Sequence, residues 1–148
     1  MATQSTTELT LDLRIERFPY HQPFRISGHV FTETALLVAE ISDGRHVGRG
    51  EGAGVYYLGD DIDHMLAEAE KARPGIERGA TPEELQHLLP AGGARNALDC
   101  AFWDMEAKRS GRPVWELAGL KAPRALPSSL SLGADSAGNM AEAALALD

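Results

Sequence analysis

The run Tyr20-His21-Gln22-Pro23-Phe24-Arg25 sets one fixed cation among aromatic and polar side chains. A guanidinium in that setting could hold a substrate carboxylate through two parallel hydrogen bonds. The plain alternative is a solvated surface arginine. A second candidate is Val55-Tyr56-Tyr57-Leu58, bounded by Gly54 and Gly59. Aromatics in a glycine-rich loop suit a lid over a ligand, and equally a loop folded onto its own core. Asp60, Asp61 and Asp63 cluster where a helix begins, and carboxylates there favour the helix dipole without any metal. The histidines at 21, 29, 46, 64 and 87 do not fall at metal-ligand spacing. Cys100 sits among apolar neighbours and reads as a small buried hydrophobe rather than a nucleophile. There is no phosphate-binding loop, nucleophile elbow or Cys-x-x-Cys pair. Gly48-Arg49-Gly50-Glu51-Gly52 is glycine-rich but lacks the strand-to-helix setting of a dinucleotide site.

The elements that must position these residues follow from periodicity. Leu9, Leu11, Leu13 and Ile15 alternate with Thr10, Asp12, Arg14 and Glu16, the period of a strand with one buried face. Phe18-Pro19 predicts its end, with residues 20–28 as a loop. Residues 34–41 read as a more apolar, central strand, and 46–51 as a third. Between them Asp43-Gly44 predicts a type I′ hairpin turn, completing an antiparallel meander.

Ile62, Met65, Leu66 and Ala69 recur at helical spacing after a cap at Asp60 or Asp61, up to Pro74-Gly75. Thr81-Pro82-Glu83-Glu84 opens a short helix with a capping box that closes at Leu89-Pro90. The longest stripe is Ala94, Ala97, Leu98, Ala101, Phe102 and Met105, with Gly111 at a left-handed cap. Its alanines allow a neighbour to approach closely. Residues 113–117 predict one more helical turn. Residues 126–132 read as a short strand, and Asp135 or Ser136 as the start of an alanine-rich helix running to the end.

The chain has 148 residues, 43% hydrophobic and 24% charged, which fits a soluble globular protein with a real core. A formal net charge of −8 argues against binding polyanions such as nucleic acid or an anionic membrane surface. No stretch reaches the roughly 20 apolar residues of a membrane span. Residues 1–7 show no signal-peptide pattern. With Cys100 unable to pair internally, a cytoplasmic location is expected.

The run Ala94-Arg95-Asn96-Ala97-Leu98-Asp99-Cys100-Ala101-Phe102-Trp103-Asp104-Met105-Glu106-Ala107-Lys108, followed by Gly111-Arg112-Pro113-Val114-Trp115-Glu116-Leu117, resembles the mandelate racemase and muconate-lactonizing branch of the enolase superfamily. Arg95-Asn96-Ala97-Leu98-Asp99-Cys100-Ala101 is most similar to its dipeptide epimerases and N-acyl amino acid racemases. The resemblance implies an α+β fold, an enolase N-terminal-like capping domain of a three-stranded antiparallel meander and a helical bundle. This would be followed by the first β/α unit of a truncated (β/α)₇β barrel. On that basis residues 1–8 are a disordered tail, 9–124 the capping domain and 125–148 the incomplete barrel, with 127–133 as its first strand and 137–148 as its helix.

The family chemistry is α-proton abstraction beside a carboxylate, with Mg²⁺ stabilising an enediolate. Its lysines and metal carboxylates would lie on later barrel strands, so no catalytic and no metal-binding residue is expected in this chain. What carries over is substrate binding: Arg25 in one capping loop, Tyr56 and Tyr57 in the other, and Ser131 on the first barrel strand. Leu130 departs from the tyrosine that the epimerases often carry. Asp99, Trp103 and Asp104 are expected to tie the bundle to the barrel.

The resemblance thus implies the N-terminal portion of a Mg²⁺-dependent epimerase of a dipeptide or N-acyl amino acid, inactive alone and homo-oligomeric at full length. Alternatives are a muconate cycloisomerase-like or other acid-sugar or carboxylate lyase of the superfamily, and a non-catalytic fragment or binding or assembly module.

Overall fold

Alternation builds the sheet. The computed structural model describes residues 8–147, so residues 1–7 of the expected tail, and Asp148, lie outside the described residues. Strands β1 (Thr10–Ile26), β2 (His29–Ser42) and β3 (Val47–Gly52) form one three-stranded sheet in the order β1-β2-β3. β2 and β3 pair antiparallel, with Leu37 opposite Gly52, Ala39 opposite Gly50 and Ile41 opposite Gly48. Two compact units divide the chain: the described residues up to Glu16 with Ala35–Pro123, and Arg17–Thr34 with Arg124 onward. β1 and β2 run through both.

In the first unit one sheet face presents Leu11, Leu37, Ala39 and Ile41 to helices α1 (Ile62–Glu77), α2 (Pro82–Leu88) and α3 (Gly93–Ser110). Met65, Ala69, Ala72 and Ile76 of α1, Leu85 of α2, and Ala97, Leu98, Ala101 and Phe102 of α3 complete this core. The other sheet face is charged. Arg14 donates to Glu16 at 2.8 Å and to Glu40 at 2.9 Å, and Arg49 donates to Glu16 at 3.0 Å.

α3 packs most heavily on β3, and the reason is steric. Gly48, Gly50 and Gly52 occupy the helix-facing positions of β3. A Cβ at each would come within 2.0 Å of the Ala101 carbonyl oxygen, 2.1 Å of that of Ala97 and 2.2 Å of that of Gly93. Four helical residues advance about 6.0 Å and two strand residues about 6.6 Å, so the two rows stay in step over three contacts. Only glycine on the strand admits the helix this closely.

The helix ends agree with the sequence. Asp61 caps α1 by accepting the His64 N–H at 2.9 Å, and Thr81 and Glu84 form the capping box of α2. Gly111, with φ 67°, ends α3 in the left-handed region. α4 (Val114–Leu117) is the single turn expected there.

Four expectations need correction. β1 does not end at Phe18-Pro19 but continues to Ile26, so Arg25 lies on a strand and not in a loop. β1 is an edge strand of the sheet, and Pro19 and Pro23 both lie within it. An edge strand can tolerate proline, because only one of its sides carries ladder bonds. α1 continues through Pro74 to Glu77, because Ala72 and Ile76 are buried and Arg73 and Glu77 tie its last turn to β1.

The Asp43-Gly44 turn is not type I′. Gly44 has φ 83°, but Asp43 is not at positive φ. Its carboxylate instead accepts the N–H groups of His46 (2.7 Å) and Arg45 (2.9 Å), while its N–H donates to the His46 carbonyl at 3.2 Å. Finally, residues 126–132 carry no strand ladder: serines and Pro127 give little β-propensity, and no described strand pairs with them. Helix α5 (Ala137–Leu145) follows, capped by Ser136, whose hydroxyl accepts the Asn139 N–H at 3.2 Å.

The Asp43 turn yields a pH prediction. The N–H groups of His46 and Arg45 hold the Asp43 carboxyl at about 2 against the opposing effect of burial, with smaller help from the His46 side chain and from the Arg109 guanidinium at 3.1 Å. An unfolded aspartate titrates at about 3.9. The folded pKa is depressed, so this contribution is complete above the unfolded value and is lost as pH falls through about 2. Asp43→Asn should flatten the fall of Tm between pH 4 and pH 2. An unchanged acid limb in calorimetric scans would show that the turn is not the group responsible.

No helix among the described residues is long and apolar enough to cross a membrane.

Candidate functional site

The second unit contains an open cleft of about 440 Å³. Phe24 and Arg25 from the end of β1, Ser131 and Asp135 from the segment before α5, and Asn139 and Met140 from α5 line it. Two of the expected substrate-binding residues, Arg25 and Ser131, therefore share one concavity. What brings the segments together is backbone. The Ala134 N–H donates to the Arg25 carbonyl at 2.7 Å, and a Cβ at Gly133 would lie 3.2 Å from the Arg25 nitrogen. A side chain at 133 would press the two segments apart.

Arg25 is exposed, and its guanidinium makes no hydrogen bond or ion pair among the described residues. It is thus available to an incoming anion. Asp135 is the opposite case. It accepts the Ser136 N–H at 2.6 Å and the Asn139 side-chain amide at 3.0 Å. Those two donors hold its carboxyl below the usual range against the opposing effect of burial, with a smaller contribution from the charge of Arg25. Asp135 and Asn139 were not legible as cleft residues. An aspartate just before a helix reads as a cap, and here Ser136 takes that role while Asp135 turns to Asn139.

Tyr56 and Tyr57 belong to the first unit. They form a 3₁₀ turn, Tyr56–Leu58, ended by Gly59 at φ 73°, with ring centroids 5.2 Å apart and planes at 88°. Tyr57 and Leu58 are each 73% exposed, so the loop is not folded onto its own core.

The acid cluster caps helices. Asp60 accepts the Gly93 N–H at 2.8 Å, at the start of α3, and meets His64 Nδ1 at 3.0 Å. Among the described residues no group of three or more His, Cys, Asp or Glu could hold a metal ion. Cys100 corrects another expectation: it is exposed, not buried. It lies on the flank of α3 next to the Ala97 and Ala101 row, where partial desolvation of the sulfur and the nearby Asp99 and Glu51 charges raise its pKa and suppress the thiolate.

Asp104 accepts the Arg49 N–H at 2.7 Å and the Lys108 ammonium at 2.7 Å, and Asp99 accepts from Gln86 at 3.3 Å. The contacts of these two acids within the first unit are thus structural.

Comparison with known proteins agrees with this architecture. The family described as mandelate racemase / muconate lactonizing enzyme, N-terminal domain, matches residues 9–119. The L-Ala-D/L-Glu epimerase of Escherichia coli (strain K12) is 34% identical over 132 residues, 89% of this chain and 41% of that protein. The N-acetyl-D-glutamate racemase of Pseudoalteromonas sp is 46% identical over 65 residues, 44% of this chain and 20% of that one. The dipeptide epimerase of Methylococcus capsulatus, solved with Mg and the dipeptide L-Arg-D-Lys, superposes with a TM-score of 0.81 at 29% identity, over 95% of this chain and 43% of that one. The chain spans about 41% of the first of these relatives. It belongs to the mandelate racemase / muconate lactonizing enzyme N-terminal domain family of the enolase superfamily, and its homologues include dipeptide epimerases.

Proposed function

We propose that this chain is the N-terminal, substrate-selecting part of an epimerase acting on a dipeptide or N-acyl amino acid, and that Arg25 receives an acidic side chain. The observation that carries this reading is a guanidinium with no partner among the described residues, on a cleft that Ser131 also lines, in a chain whose relatives include epimerases and racemases of glutamate-containing or glutamate-derived compounds. Inverting such a centre means removing the proton α to a carboxylate and returning it on the other face. On this reading the groups that move the proton belong to the length of the relatives that this chain does not match. Its own contribution is then to choose the substrate. Binding energy from a remote side chain can be used to orient the reacting centre.

The test is α-proton exchange in D₂O, followed by proton NMR with L-Ala-L-Glu and L-Ala-L-Leu. A protein joining this chain to a complete barrel should exchange the proton, and the 148-residue chain alone should not. Arg25→Ala should raise KM for L-Ala-L-Glu about tenfold, the scale of one exposed charge-assisted pair, and leave L-Ala-L-Leu unchanged. Exchange by the isolated chain would overturn the reading, as would no exchange by the joined protein with any dipeptide or N-acyl amino acid.

A further inference from the structure

We propose that Asp135 is a specificity-determining residue that moderates the attraction of the Arg25 cleft for carboxylates; this rests on the reading of Arg25 as the acid-binding group. Both side chains line the same cleft, and the Ala134 N–H to Arg25 carbonyl bond at 2.7 Å joins the two segments beside it. Asp135 cannot swing away freely, because the Ser136 N–H at 2.6 Å and the Asn139 amide at 3.0 Å fix its carboxylate. The two opposite charges thus face one cleft, the carboxylate held by its own neighbours. Yet no ion pair closes between them among the described residues, so Arg25 stays open to a ligand.

An anion entering the cleft is therefore drawn by one charge and repelled by another, fixed one. The net field is weaker than a lone arginine would give. A cleft of this kind binds an acid side chain loosely enough to release it and discriminates less between acidic and neutral ligands. At charge separations of several ångströms near a protein surface, removing one unit of repulsion is worth about a three- to tenfold change in affinity at low salt. That gain fades as ionic strength shortens the Debye length to about 8 Å at 0.15 M.

Asp135→Asn tests this, since asparagine keeps an oxygen to accept from Ser136 and Asn139 while losing the charge. The isotope-labelled 148-residue chain is titrated with glutarate and, separately, with neutral glutaramide, following the Ala134 and Arg25 amide resonances. Glutarate should saturate the Asp135→Asn protein at a three- to tenfold lower concentration than the parent, with the gain shrinking in 0.5 M NaCl. Glutaramide should shift neither. Identical glutarate curves for the two proteins, or no shift in either up to 100 mM, would overturn the proposal. So would an equal gain for glutaramide, which would mark a change of shape rather than of charge. The Arg25 reading fails separately, if Arg25→Ala titrates with glutarate as the parent does.

Discussion

Gly50→Ala should destabilise the first unit by about 3 kcal/mol or more, and Gly50→Val should prevent its folding. The added Cβ would lie 2.1 Å from the Ala97 carbonyl oxygen, 2.5 Å from the Ala101 nitrogen and 2.8 Å from the Cys100 Cβ. Overpacking a core by a methylene usually costs 1–3 kcal/mol because side chains shift to make room. Here two of the three nearest atoms are helix backbone. α3 cannot yield at Ala97 without also moving at Ala101 and Gly93, where Gly48 and Gly52 hold it equally close. Moving it bodily would open the layer that buries Leu98, Phe102 and Met105.

Against a total stability of about 5–15 kcal/mol, that is a large fraction. Gly138→Ala in α5 is the control. Nothing lies within 4 Å of its Cβ position, and alanine in a helix is favoured over glycine by about 0.5–1 kcal/mol. Urea unfolding followed by circular dichroism decides the matter. A Gly50→Ala unfolding free energy within about 1 kcal/mol of the parent's would mean that α3 does not rest on β3 as described.

That contact also shows what a sequence can and cannot disclose. The alanine stripe of α3 announced a close neighbour. The glycine run 48–52, read as a candidate for ligand binding and set aside, was that neighbour. Glycine at alternate strand positions has the same one-letter signature whether a phosphate or a helix approaches, and only the partner distinguishes them. Capping boxes and C-terminal glycines were legible because their partners lie within four residues, as at Thr81, Glu84 and Gly111.

The errors came where a distant partner decides. Proline reads as a strand breaker, yet Pro19 and Pro23 lie within β1, an edge strand, where a proline can be tolerated, and that place in the sheet is not evident until the strand order is known. Asp-Gly signals a I′ turn, but Asp43 gains more by accepting from His46, Arg45 and Arg109, the last reached across 66 residues of sequence. Cys100 has the right neighbours in sequence for burial and the wrong angular position on its helix. At the cleft, Arg25 is legible from its setting in the Tyr20–Arg25 run and Ser131 by resemblance, whereas Asp135 needs the fold to bring β1 and the α5 cap together.

Removing the polar side chains that α3 lays along β3 should convert its outer strand edge into an adhesive one. β3 is last in the sheet order, so among the described residues its outward backbone groups have no strand partner. α3 supplies substitutes at three of them. The Asn96 side-chain amide donates to the Glu51 carbonyl at 3.1 Å, Asp104 accepts the Arg49 N–H at 2.7 Å, and Lys108 donates to the Val47 carbonyl at 2.8 Å. Alternate strand residues are served by side chains of a single helix, the helix being held at that distance by the glycine row. Burial works against the Asp104 charge, but the bonds from Lys108 and the Arg49 N–H outweigh it and lower its pKa, so the acceptor is ionised at neutral pH.

Exposed strand edges recruit other edges, and charged side chains placed across them prevent it. The triple change Asn96→Ala, Asp104→Ala and Lys108→Ala should cost about 2 kcal/mol, at roughly 0.5–1 kcal/mol for each exposed hydrogen bond. Its larger effect should be association. The variant should shift to higher mass with concentration in sedimentation velocity, and its amide exchange should slow along Val47–Gly52 as a second edge pairs there. Asp104→Asn, which keeps an acceptor for Arg49, should retain most of the protection. A triple variant with the sedimentation behaviour of the parent at every concentration would mean that these bonds hold the helix to the strand and do not guard the sheet.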